Sequence, residues 1–140
     1  MDQISDHGLI DLRKRIRHSA AHVMADVVRK LFPETKLAIG PPTEDGFYYD
    51  FFVSKPFDEK ILDEIESHMQ KVISLDMPFE YKEYPKEQAL DMHSDEPFKE
   101  EIIREIPDDE VVSTYSHGDF EDLCSGPHVE STGKIIAFKL

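Results

Sequence analysis

DLRKRIRHSAAHVMADVVRKLFP, residues 11–33, sets the frame of this chain. Ile16, Ala20, Val23, Met24, Val27, Val28 and Leu31 return at helical intervals within a helix read over residues 8 to 32, and Pro33 ends it. Such a stripe needs a partner surface, and the rest of the chain offers one. Residues 35–53, TKLAIGPPTEDGFYYDFFV, hold two strand-like runs around a turn containing Pro41, Pro42, Asp45 and Gly46, which predicts a hairpin. Asp58 caps a second helix whose Ile61, Leu62, Ile65, Met69, Val72 and Ile73 form another stripe, with Pro78 shortly after its end. FEYKEY then alternates like a strand, 86–93 and 97–104 read as short helices, and VVSTY, FEDL and KIIAFKL read as closing strands. The elements do not follow regular βαβ alternation. The expected class is therefore α+β, an antiparallel sheet packed with a long N-terminal helix and further helices. No repeat or interdomain linker interrupts the pattern, so residues 1–140 read as a single domain.

The composition narrows the function. The single cysteine, Cys124, excludes an internal disulfide and suggests an intracellular thiol, free or metal-bound. No apolar run approaches the roughly 18 residues of a membrane span, so a soluble, cytoplasmic protein with no membrane partner is expected. Thirty acidic against 16 basic residues give a net charge of -14, which opposes broad attraction to a phosphate backbone. Any nucleic-acid contact should be local, and the one dense basic cluster is Arg13, Lys14, Arg15 and Arg17.

His18 and His22, four apart on the first helix, share a face. At about 100° per residue that face points away from the Ile16/Val23/Val27 stripe, and the small Ala21 and Ala25 beside it leave room over the rings. A cleft is expected there. Near the other end, Asp122-Leu-Cys124-Ser-Gly126-Pro127-His128 sets a thiol and an imidazole four apart, and Gly126 and Pro127 argue for a strand-to-turn corner over a helix. His18, His22, Cys124 and His128 together have the ligand types of a zinc site, either open or a closed staple between the two ends. His7, His68, His93 and His117 have no comparable partner and read as surface residues.

The two histidine-containing motifs together resemble the HxxxH and CxxxH pair of the editing domains of threonyl- and alanyl-tRNA synthetases. Ile39-Gly40-Pro41, Gly46-Phe47-Tyr48-Tyr49-Asp50, the Cys-x-Gly-Pro-His form and the run from Gly133 to Leu140 are similar to the threonyl branch. This resemblance implies an editing cleft between the long helix and the sheet, where serine is hydrolysed from mischarged seryl-tRNA(Thr). Such a second pocket is needed because one methyl group gives a synthetic site only about 1–3 kcal/mol of discrimination. By position in the family pattern, Lys99, Tyr115 and Asp122 join the four motif residues. His18 and His22 would bind or activate water, and Lys99 would hold positive charge near the oxyanion. Asp122 would orient a histidine or hold the substrate amine, and Tyr115 would offer its hydroxyl to water or ribose. Cys124 fits pocket shaping or ligation better than nucleophilic attack, because Asp122 opposes a thiolate. Ser125 replaces an arginine common in the family. The alanyl relatives bind zinc through His18, His22, Cys124 and His128, whereas the threonyl branch implies no obligatory metal. The implied partners are the acceptor end of tRNA(Thr) and the remaining domains of a threonyl-tRNA synthetase, whose ubiquitin-like and aminoacylation domains are not found within these residues. The competing readings are zinc-dependent editing of another mischarged tRNA and a non-catalytic tRNA-binding module.

Overall fold

In the computed structural model, which describes residues 6–38, 46–124 and 126–140 apart from the Asp6 and His7 side chains, helix α1 spans Asp6–Leu31. Every residue from Ser19 to Val28 is buried, so only the first half of α1 is amphipathic. Two layers enclose its second half. On one side Ala20, Val23, Met24, Val27 and Val28 pack with Ile65 and Met69 of helix α2, Glu59–Ser74. On the other, Ala25 packs with Leu37 and Phe120. Asp58 caps α2 as expected, its carboxylate accepting the Ile61 N–H at 2.8 Å, an interaction typically worth about 1 kcal/mol.

The hairpin forms from β1, Lys36–Leu37, and β2, Phe51–Phe52, paired antiparallel. Its expected turn residues Pro41, Pro42 and Asp45 lie outside the described residues, as do Ile39, Gly40, Ser125 and the His7 side chain. A three-stranded antiparallel sheet follows, in the order β3 (Glu80–Tyr84), β4 (Val112–His117) and β5 (Phe120–Leu123). Tyr115 stands opposite Asp122, and His117 opposite Phe120. Directly opposed residues share a face, so these four side chains line the side of the sheet toward α1. The other side carries Val112 onto Ala89 and Ile103 of helices α3 (Lys86–Met92) and α4 (Pro97–Arg104). The fold is α+β with a long N-terminal helix, as the sequence suggests.

One element differs from expectation. KIIAFKL joins no strand; a 3-10 turn at Thr132–Lys134 leads into an irregular tail. Ile135 is buried while Ile136 is exposed, and Phe138 and Leu140 pack on the α1–α2 core. Alternation here records a tail laid on α2, and the Leu140 N–H bonds the Glu66 carboxylate where a sheet would supply a carbonyl. Among the described residues no helix is long and apolar enough to cross a membrane.

Candidate active site

Ser19, His18 and His22 lie on α1, and Cys124 leaves β5 directly below them. Gly126 has φ +76 and backs onto the Tyr115 ring: a Cβ there would stand 2.7 Å from the Tyr115 hydroxyl. Only glycine lets the chain turn so close to the ring, and that turn, with a cis Gly126-Pro127 bond, returns His128 to the thiol.

Three of the expected residues meet. Cys124 Sγ lies 3.2 Å from His18 Nε2 and 3.1 Å from His128 Nε2. The Val129 N–H donates to Ser19 Oγ, which also lies 2.9 Å from His128 Nδ1 and so ties that ring to α1. On the other side His18 also interacts with the Pro127 carbonyl. Phe79 stacks on His128 at 4.9 Å, and the Tyr115 ring meets it edge-on at 4.6 Å.

Electrostatics keep all these groups neutral. Burial pushes the Cys124 thiol up to about 11, and Asp122 adds to the rise. His128 is pushed down to about 2 by burial and the neighbouring histidines. His22 is held well below the usual value, mainly by burial and then by His117, and His18 is lowered by burial, with Lys14 one turn away contributing. A histidine lowered in the fold is easier to protonate when unfolded. The stability it contributes is present above pH 6.5 and lost as pH falls, at up to about 1.4 kcal/mol per pH unit for each such group. Thermal melts are therefore expected to show a falling midpoint between pH 7 and pH 5; an unchanged midpoint would contradict these neutral assignments.

His22 is placed differently from the expectation. Its ring is only 4% exposed, because the hairpin and the β4–β5 face cover the side of α1 that the helical wheel leaves open. Its Nε2 bonds the Tyr115 carbonyl at 3.1 Å and its Nδ1 meets His117 Nδ1 at 3.0 Å. His117 and His93, expected at the surface, are buried too: His117 bonds Asp26 and His93 bonds Glu96. His68 stays at the surface, bonded to the Glu64 carbonyl.

Lys99 comes into the same centre, 2% exposed on α4. Its ammonium reaches Asp122 Oδ1 at 2.5 Å, the Tyr49 hydroxyl at 2.7 Å and the Ala38 carbonyl at 2.7 Å. The Tyr49 hydroxyl donates to Asp122 Oδ2 at 2.7 Å. Asp122 thus holds Lys99 and Tyr49, not a histidine as one expectation had it. Sequence reasoning assigned no role to Tyr49, Ser19, Asp26 or His117. Asp26, one turn after His22, and His117, two residues after Tyr115 on the same strand face, were the available signals.

The ligand atoms of His18, Cys124 and His128 lie within 4.8 Å of one another, close enough to hold one metal ion. Two imidazoles and a thiol suit zinc, with a fourth position left for water, but the thiol would first have to lose its proton. His22 does not complete a quartet, since both its ring nitrogens are engaged.

Residues 112–140 match the family described as the threonyl and alanyl tRNA synthetase second additional domain, a stretch containing Tyr115, Asp122, Cys124 and His128. The chain is 49% identical over 130 residues to a threonine-tRNA ligase of Acetivibrio thermocellus, an alignment covering 91% of this chain and 20% of that protein. The corresponding values are 51% over 126 residues for Desulforamulus reducens, with 89% and 20% covered. For Syntrophomonas wolfei they are 43% over 148 residues, with 99% and 23% covered. The chain spans about one fifth of the length of these curated relatives.

Proposed function

We propose, because this chain is similar to the segment of threonine-tRNA ligases that contains the second additional domain, that it hydrolyses serine from mischarged seryl-tRNA(Thr). The observation that carries this reading is the convergence of His18, Cys124 and His128, drawn from both ends of the sequence, beside the buried Lys99–Asp122 pair.

Water attacks the ester carbonyl carbon, the bond to the terminal ribose oxygen breaks, and that oxygen leaves with a proton. His18 is the preferred base. It is half-buried where His22 and His128 are buried, burial holds it neutral near pH 7, and its Nε2 faces Cys124 at 3.2 Å. A water entering beside Cys124 would lose its proton to that nitrogen. Cys124, protonated and flanked by Asp122, shapes the pocket and is a poor nucleophile. Lys99 and Asp122 offer a substrate both signs, an ammonium for the developing oxyanion and a carboxylate for the seryl amine, if Tyr49 gives up its bonds to them. Discrimination is steric: a pocket that admits serine and excludes one more methyl completes a double sieve. Arg13, Lys14 and Arg17 precede His18 on α1 and would offer positive charge to the acceptor end, while the remaining domains of the ligase would hold the tRNA body.

The three-residue ligand cluster favours a second reading, in which a metal ion there activates the water. Seryl-tRNA hydrolysis measured after exhaustive chelation, and again after zinc is returned, separates the two. Undiminished hydrolysis after chelation is expected. Stoichiometric bound zinc, with activity lost on its removal and restored on its return, would overturn the metal-free mechanism.

A further inference from the structure

Behind the candidate site a buried chain of hydrogen bonds crosses from the sheet to α1. It begins at the Tyr115 carbonyl oxygen, 3.1 Å from His22 Nε2. His22 Nδ1 is 3.0 Å from His117 Nδ1, and His117 Nε2 is 2.8 Å from Asp26 Oδ2. His22, His117 and Asp26 are 4%, 1% and 1% exposed, so water does not substitute for any link.

Counting hydrogens decides the state of this chain. A carbonyl oxygen only accepts, and so does an ionised carboxylate. Three hydrogen bonds strung between two such ends need three hydrogens, yet two neutral imidazoles bring only two. One additional proton must therefore be held inside. Asp26 Oδ1 lies 3.1 Å from the Lys30 ammonium, itself 2.8 Å from Asp119, which favours Asp26 as the carboxylate. On the other flank His22 faces the ring of His128 at 5.1 Å and the positive charge of Lys99, and it has no carboxylate beside it, whereas His117 lies directly against the Asp26 carboxylate. His117 is left between two acceptors.

We propose that Asp26 and His117 are positioning residues for the candidate site, a buried carboxylate–imidazolium pair that fixes His22 as the Nε2–H tautomer. Through His22 the pair sets two things at once. The Tyr115 backbone is tied to α1, and the His22 ring is held against the ring of His128, which faces the thiol. The pair thus does for His128 and Tyr115 what an outer carboxylate does for a ligating or catalytic histidine elsewhere, where its loss typically costs about 10–100-fold in activity.

The kinetic part of this inference rests on the proposed hydrolysis; the proton count does not. In the full chain with ¹⁵N-labelled histidine at pH 7, NMR is expected to show hydrogens on both ring nitrogens of His117 and on Nε2 alone of His22. Asp26→Asn supplies the missing hydrogen from its amide, so the chain of bonds closes with neutral rings. His117 should then lose one ring hydrogen, keeping Nδ1–H, while the fold and the rate of serine release stay near wild type. Asp26→Leu, which supplies nothing, should lower kcat about 10–100-fold with KM unchanged. A single ring hydrogen on His117 in the wild-type chain would overturn the count. Asp26→Leu with unaltered kcat, or Asp26→Asn as inactive as Asp26→Leu, would overturn the positioning role. A wild-type chain that releases no serine would refute the proposed function and leave the nitrogen spectra to decide the proton count alone.

Discussion

Replacing His18 by alanine is expected to slow serine release from seryl-tRNA by about 10²–10⁴-fold, the range of a lost general base. The fold should survive, because the ring is half-buried and its links are to Cys124 Sγ and the Pro127 carbonyl at the surface of the centre. Deacylation rates beside thermal melts check it. An unchanged rate per folded molecule would remove His18 from the mechanism. His22→Ala should behave otherwise: it vacates a buried site and leaves the Tyr115 carbonyl and His117 without their partner, a loss of about 1–3 kcal/mol for each unsatisfied group. The i, i+4 spacing makes the two histidines look equivalent, and the packing separates them.

Lys99→Ala is expected to be the most destabilising single change at the site, by about 3–5 kcal/mol, because Asp122 would stay buried as an uncompensated charge. Lys99→Met combined with Asp122→Leu should regain part of that loss, since no charge is then left buried and the Tyr49 hydroxyl and Ala38 carbonyl keep only their 3.5 Å contact with each other. Urea denaturation of the single and double variants is the measurement. A single-variant loss of less than about 1 kcal/mol, the worth of an exposed pair, would show that the Lys99–Asp122 contact is not held dry.

Much of this architecture is legible in the sequence because its signals are local. The period of Ala20, Val23, Met24, Val27 and Val28 marks the α2-facing stripe of α1. Asp58 marks the start of α2, and the alternation of FEYKEY, VVSTY and FEDL marks the three-stranded sheet. The approach of Lys99 and Asp122 to the histidines came from family position alone, since nothing in Glu96-Pro97-Phe98-Lys99 announces a buried ammonium. Other features depend on non-local packing. A helical wheel weighs one helix against one partner, so it cannot show that a hairpin and a sheet close over the second face of α1 and bury His22. His117 reads as a surface histidine until β4 is seen to aim it at Asp26 and His22. KIIAFKL has the composition of a strand but no strand beside it.

The proposed activity is that of a size-selective esterase acting on a mischarged tRNA. Its most direct test is the release of amino acid from seryl-tRNA(Thr) and from threonyl-tRNA(Thr) under identical conditions, by this chain and by the ligase that contains such a segment. Serine should leave faster by about 10-fold or more, the discrimination one methyl group makes available when the pocket rejects the larger substrate. Equal rates for the two esters, or no release of either, would contradict that activity.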